Sequence, residues 1–96
     1  MKESEFQHRL IKRLKSVFQD CIVLKNDAGY MQGIPDLILL WKDKWAALEV
    51  KRSSSASHQP NQEWWIDRMN SMSFASFVCP ENEEEVIHEI QQAFGS

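Results

Sequence analysis

The chain has 96 residues, of which 43% are hydrophobic and 26% are charged, a composition that suits one small domain with its own core. No apolar run is long enough to span a bilayer, and no basic segment followed by an apolar stretch marks a secretory signal. We therefore expect a single domain over residues 1–96, located in the cytoplasm and without a membrane partner.

The net charge of −3 argues against a nucleic-acid partner, but the charges are unevenly distributed. Residues 1–52 hold ten Lys and Arg against seven Asp and Glu, whereas residues 53–96 hold one against seven. A polyanion could therefore meet the first half while the second half faces away. A chance split in a solvated surface is the alternative.

The first predicted element is an amphipathic helix over residues 3–18. Phe6 and Leu10 begin an apolar stripe at helical spacing that continues along the segment. Glu3 falls on this stripe and should face the rest of the protein, whereas Glu5 should point to solvent.

Three strands are expected next, separated by polar segments. The first covers residues 21–25 and is followed by a loop over 26–33 that is rich in turn-forming residues. A near-continuous apolar run at 34–41, a charged turn at 42–44 and a second run at 45–51 then read as a hairpin. Because both runs are apolar on both faces, their strands should be buried from both sides.

The second half predicts two helices and one strand. A small-residue loop leads to a helix over 59–72 with Pro60 in its first turn, and a strand follows at 73–78. A last helix over 80–94 should open at Pro80. The expected buried side chains of these helices are Trp65, Ile66, Met69 and Met72 in the first, and Val86, Ile90 and Phe94 in the last. The order α-β-β-β-α-β-α predicts an α/β fold in which helices flank a central mixed sheet.

Ionisable residues stand at the edges of the two most apolar strands. In a hairpin folded about its charged turn, Asp36 should lie opposite about residue 50, and Glu49 and Lys51 share one face of their strand. Two neighbouring carboxylates repel unless positive charge lies between them, and Mg²⁺ could supply it with the Val50 carbonyl as a further ligand. Lys51 could then orient or deprotonate a water. The structural alternative is that Asp36 caps a turn and Glu49 pairs with Lys51.

Four short motifs in order resemble the VRR-NUC branch of the PD-(D/E)XK nuclease superfamily. They are Glu3-Ser4-Glu5-Phe6-Gln7, Gly33-Ile34-Pro35-Asp36, Glu49-Val50-Lys51 and Pro60-Asn61-Gln62. Together they extend over most of the chain. The resemblance implies a restriction-endonuclease-like core, and the predicted order of helices and strands agrees with it.

The resemblance also implies roles for individual residues. Asp36 and Glu49, with the Val50 carbonyl, look like the metal ligands, and Lys51 looks like the catalytic lysine. Glu3 matches the acid of the first helix that assists the metal or its water, with Glu5 as the alternative. Gln62 matches a glutamine of the second helix that should face the site.

Other polar residues are candidates for contact with nucleic acid. Lys25 and Tyr30 could touch phosphate or stack on a base, although turn chemistry and packing at the rim of the site are alternatives. Gln32 stands where similar proteins often carry a basic residue. Arg52 could belong to a phosphate track, and His58 precedes the second helix near the site.

These features predict a Mg²⁺-dependent endodeoxyribonuclease in which Mn²⁺ can substitute. Small members of the superfamily resemble Holliday-junction resolvases, so we expect a homodimer that is selective for branched DNA and is of bacteriophage type, acting inside a bacterial host. Trp64 lies outside its helix stripe and belongs either to the core or to a subunit interface. The alternatives are a nucleic-acid-binding module that is inactive or needs a partner, and a protein–protein adaptor.

Overall fold

The computed structural model describes residues 1–27 and 29–95, which form three helices and four strands in the predicted α-β-β-β-α-β-α order. The loop predicted over 26–33 includes Ala28, which lies outside the described residues. The elements are α1 (Glu3–Val17), β1 (Ile22–Lys25), β2 (Leu37–Trp41), β3 (Lys44–Val50), α2 (Pro60–Met72), β4 (Phe74–Val78) and α3 (Glu83–Ala93).

The four strands form one mixed sheet in the order β1-β2-β3-β4. β1, β2 and β3 are antiparallel neighbours, and β4 is parallel to β3. The parallel pair requires a crossover connection, which α2 provides between β3 and β4. The expected α/β class with a central mixed sheet and flanking helices is therefore confirmed.

One face of the sheet packs against α1 and α3. The apolar stripe of α1 is fully buried here, with Phe6, Leu10 and Leu14 each 0% exposed. They meet the side chains of β2 and β3 that point to this face, together with Val86, Ile87 and Ile90 of α3. The burial predicted for Phe6, Leu10, Val86, Ile90 and Phe94 is thus confirmed.

The other face is covered by α2, which lies over β3 and β4. Ile66 is its buried residue, and Met69 packs at the edge of the same small cluster with Ala47 and Ala75. The prediction that Met72 belongs to the buried side is wrong, because this residue ends the helix and is 64% exposed.

The last helix begins later than predicted, at Glu83 and not at Pro80. The intervening residues form a turn that the Asn82 side chain holds together. Its amide oxygen accepts the Cys79 N–H at 2.8 Å and its amide nitrogen donates to the Phe77 carbonyl at 3.2 Å. These bonds compete with helix formation, as short amide side chains near a helix start commonly do.

The longest of the three helices, α1, has 15 residues. Within residues 1–27 and 29–95, no helix combines the length and the apolar character needed to cross a membrane.

Candidate active site

The two predicted acids lie side by side where the β2–β3 pair ends. Leu37 and Leu48 are the terminal partners of this pair, so Asp36 and Glu49 come next on adjacent strands and on the same face. The sequence placed Asp36 opposite about residue 50, and the register specifies Glu49 as its neighbour. The exact register decides the face, because a shift of one residue moves a side chain to the opposite face of a sheet.

Asp36 is held in place by the strand that carries Glu49. The Val50 N–H donates to Asp36 Oδ2 at 2.9 Å. On its other side, the Asp36 carbonyl accepts the Asn26 N–H at 2.8 Å, which ties the residue to the end of β1. These bonds fix the carboxylate beside the end of β3.

The carbonyl of Val50 is turned towards the segment before β2, which carries a proline. The Lys51 N–H donates to Val78 on β4, so the peptide groups of Val50 point the opposite way, towards β2. The register continued past Leu37 puts Pro35 beside Val50. Proline has no N–H to donate, so this strand leaves the Val50 carbonyl open to another ligand.

Gln62 connects Lys51 to Glu49. The Lys51 ammonium group donates to Gln62 Oε1 at 2.9 Å, and Gln62 Nε2 donates to Glu49 Oε2 at 2.9 Å. The direct distance from Lys51 Nζ to Glu49 Oε2 is 3.8 Å. Gln62 therefore bridges the two groups and faces the site, as predicted.

A capping box at the start of α2 fixes the orientation of this amide. The Gln59 N–H donates to Gln62 Oε1 at 3.0 Å, and the Gln59 side chain accepts the N–H of residue 62. Because Oε1 already accepts from Gln59, Nε2 is the atom left to face Glu49. Sequence reasoning missed Gln59, although a polar residue three positions before a glutamine at a helix start signals such a box.

The pKa values of both acids are raised, chiefly by burial. The pKa of Glu49 rises from 4.5 to about 7, mainly through burial and then through the charge of Asp36, while Lys51 opposes the shift. Burial also raises the pKa of Asp36, against the effects of the Val50 N–H and Lys51. A pair of acids in this state favours a bound proton or a bound cation.

Of the two acids considered on α1, Glu3 is the one whose charge reaches the site. It adds to the rise of the Glu49 pKa, and Glu5 is not among the causes of that shift. Both side chains are exposed to solvent. Its effect on the Glu49 pKa favours Glu3 over Glu5, and the role of Glu3 stays a prediction.

The loop that precedes Asp36 packs closely against α2. Gly33 has a φ of +84°, and a Cβ at this position would lie 2.6 Å from Cγ of Asn61. Both facts require glycine here. The Trp65 indole N–H donates to the Gln32 carbonyl at 3.3 Å, so Trp65 secures the loop from the edge of the helix.

The residues predicted to contact nucleic acid lie around this site, and they differ in exposure and in the contacts that they make within the protein. Tyr30 is 82% exposed on the loop, and Lys25 and Arg52 are exposed at the ends of β1 and β3. Gln32 engages Trp65 through its backbone, and the His58 ring stacks on Phe77 with ring centroids 3.8 Å apart.

Two arginines of the basic first half of the chain have a structural partner. Arg9 and Arg13 donate to the two carboxylate oxygens of Glu83 at 3.2 and 3.1 Å, which joins α1 to α3. Their charge is therefore largely engaged within the protein. The excess of Lys and Arg in the first half of the sequence therefore overstates how much basic surface is free to meet a polyanion.

The donor set suits a hard divalent cation. Within residues 1–27 and 29–95, no group of three or more His, Cys, Asp and Glu side chains could hold a metal ion. Mg²⁺, however, commonly uses one or two carboxylates and completes its shell with water and substrate oxygens. Asp36, Glu49 and the open Val50 carbonyl fit that requirement.

The mixed sheet, with two acids and a lysine at the end of its central hairpin, defines the class of PD-(D/E)XK nucleases. Comparison with protein families narrows this class, since the model of the VRR-NUC domain matches residues 2–81. The chain belongs to the VRR-NUC family and is a nuclease domain, a hydrolase acting on DNA. The matched range includes every predicted site residue. Comparison with curated proteins finds no match.

Proposed function

We propose that this nuclease is a Mg²⁺-dependent endodeoxyribonuclease that cuts branched DNA as a homodimer, and that Mn²⁺ can replace Mg²⁺. The observation that carries the proposal is the acid pair of Asp36 and Glu49 joined through Gln62 to Lys51. An acid pair with raised pKa values beside a fixed ammonium group suits a cation and a phosphate together.

Asp36, Glu49 and the Val50 carbonyl would hold the cation. When bound, a cation here supplies Lewis-acid polarisation of the phosphate and lowers the pKa of an attacking water. Lys51 contributes a positive charge next to the phosphate, where negative charge grows on the oxygens in the transition state. Gln62 holds both Lys51 and the carboxylate of Glu49 in place, so the site needs little rearrangement when substrate arrives.

Water attacks phosphorus and the bond from phosphorus to the leaving sugar oxygen breaks, with the leaving oxygen taking up a proton. Glu3 is near enough to Glu49 for its charge to be felt there. We assign it the role of assisting the water or the cation from the first helix.

Exposed apolar side chains support the homodimer. Ile22 and Leu24 are 55% and 47% exposed on the edge strand β1, and Trp64 is 58% exposed on α2, which excludes it from the core. Large exposed apolar groups on a small protein commonly mark an interface. A twofold dimer would present two active sites, as symmetric cutting of two strands requires.

DNA would approach over the loop and strand ends around Asp36. Lys25, Arg52 and Tyr30 are exposed there and offer charge and a stacking ring to the substrate. His58 and the Gln32 region complete the predicted contact surface.

The test is incubation with a labelled four-way junction and a matched linear duplex, each with Mg²⁺ and with Mn²⁺. The proposal predicts symmetric, metal-dependent cuts in the junction and much slower cleavage of the duplex. Equal cleavage of both substrates would remove the selectivity and keep the nuclease. Binding without cleavage in either metal would favour the alternative, a module that is inactive or needs a partner.

A further inference from the structure

A pocket of about 150 Å³ opens next to the active site, beyond Lys51. It lies where β3 and β4 end, between the loop that follows β3 and the turn that precedes α3. Lys51 lines both this pocket and the acid pair, so the two sites share a wall. None of the roles assigned above to the acids, the lysine or Gln62 uses this space.

Aromatic side chains form one wall of the pocket. The rings of His58 and Phe77 stack with centroids 3.8 Å apart and planes 9° from parallel. Phe77 is also the β4 partner of Glu49, so the backbones that carry this ring and the acid lie about 4.8 Å apart on neighbouring strands. A group in the pocket would therefore sit within one nucleotide of a phosphate held at the acids.

The charges around the pocket disfavour a second phosphate. Of the described residues that line it, Lys51 is the one lysine or arginine, and it is already engaged with Gln62 and Glu49. Acids stand at the rim, since Glu81 accepts from both the N–H and the hydroxyl of Ser54, and Glu63 lies 3.6 Å from His58 Nδ1. A neutral, planar group fits these surroundings better than an anion.

We propose that this pocket takes an unpaired pyrimidine base from the nucleotide next to the cleaved phosphodiester. The inference rests on the proposed nuclease activity and names the feature of the substrate that the site would read. A cavity of this volume holds one six-membered ring, and bases stack on aromatic side chains without regard to sequence. A base in a regular duplex is not available to the pocket, whereas branched DNA provides unpaired nucleotides.

The pocket is tested first without cleavage, by proton NMR of the histidine rings in the absence of divalent metal. The chain has three histidines, His8, His58 and His88, and His58→Ala assigns the informative signal. Thymidine 5′-monophosphate should shift the His58 signal, and deoxyribose 5-phosphate, which lacks the base, should leave it in place. Equal shifts with both compounds, or none with either, would overturn the proposal.

Cleavage of a strand that carries one abasic nucleotide at successive positions then locates the base. Loss of the base at one position beside the cut should lower kcat/KM about tenfold, the usual contribution of one stacked base. His58→Ala should remove this dependence on the base, His58→Phe should retain it, and His88→Ala, an exposed site on α3, serves as the matched control. Equal rates at every abasic position would contradict the pocket, whereas absence of all cleavage would refute the nuclease and leave the NMR result to decide the pocket.

Discussion

Glu49 and Glu83 are the buried carboxylates among the described residues, with 4% and 7% exposed, and they are stabilised in opposite ways. Glu83 accepts from two arginines, one on each carboxylate oxygen. Glu49 has a neutral amide at 2.9 Å, a lysine at 3.8 Å and a second acid as its neighbour. The charge of Glu83 is thus balanced by arginines within the protein, whereas the charge of Glu49 is left to be balanced by a bound ion or ligand. We therefore interpret Glu83 as a residue that joins α1 to α3, and the unbalanced charge of Glu49 supports the role that we propose for it in the active site.

The largest expected effect comes from removing Lys51, the lysine that lies beside the acid pair. Lys51→Ala should lower the cleavage rate about 100- to 1,000-fold, as loss of one preorganised group that stabilises transition-state charge commonly does. Lys44→Ala, at the start of β3 and at the opposite end of the strand from Lys51, is the matched control and should leave the rate close to wild type. Single-turnover cleavage of junction DNA measures both. A rate for Lys51→Ala near that of the control would exclude a catalytic lysine.

Neutralising Glu49 should make the protein more stable, in a way that depends on pH. Its pKa is raised from 4.5 to about 7, so its contribution to stability is full below pH 4.5 and is lost as the pH rises through 7. Glu49→Gln keeps an acceptor for Gln62 and avoids that loss, so at pH 8 the variant should gain about 3 kcal/mol. Urea unfolding at pH 4 and pH 8 measures the difference. A gain of the same size at both pH values would contradict the charge argument.

Neutralising Glu83 should have the opposite sign. Glu83→Gln weakens its bonds to Arg9 and Arg13, which are partly exposed, so we expect a loss of about 2 kcal/mol. For a chain of this size the melting temperature should fall by about 10 °C. Glu84→Gln, which affects an exposed partner of Arg13, should change it little. Equal melting temperatures for the two variants would show that the buried pair does not hold α1 to α3.

The smallest predicted effect separates the two acids of α1. Glu3→Gln should lower kcat/KM about tenfold, a typical loss for a group that acts on a metal site from its surroundings. Glu5→Gln should leave kcat/KM unchanged, since its charge is not among the causes of the Glu49 shift. Steady-state cleavage with both variants decides the assignment, and the reverse order would make Glu5 the assisting acid.

The sequence predicted most of the fold because its patterns are local. The stripe that begins at Phe6 and Leu10, the apolar runs of β2 and β3 and Pro60 at the first turn of α2 each specify an element from neighbouring residues alone. Helix starts that depend on side-chain bonds were harder, because the Asn82 amide closes a turn that composition does not reveal.

The sequence predicted which residues form the site better than it predicted how those residues are arranged. Glu49 and Lys51 share a face because side chains alternate along a strand. The position of Asp36 depends on the register between β2 and β3, whose paired residues end at Leu37, close to Pro35. Gln62 was found from its motif, whereas Gln59 was missed although its spacing to Gln62 signals the capping box that fixes the amide. Phe77 reads as an ordinary core residue in the sequence, and only the β3–β4 register brings it beside Glu49.

Calorimetric titration with Mn²⁺ at pH 7.5 of the wild type, Glu49→Gln and Glu83→Gln tests the central claim most directly. The account predicts binding to the wild type, loss of binding in Glu49→Gln and retained affinity in folded Glu83→Gln. The reason is that Glu49 is a proposed ligand of the cation, whereas Glu83 is already paired with two arginines. Undiminished binding to Glu49→Gln, or loss of binding confined to Glu83→Gln, would contradict it.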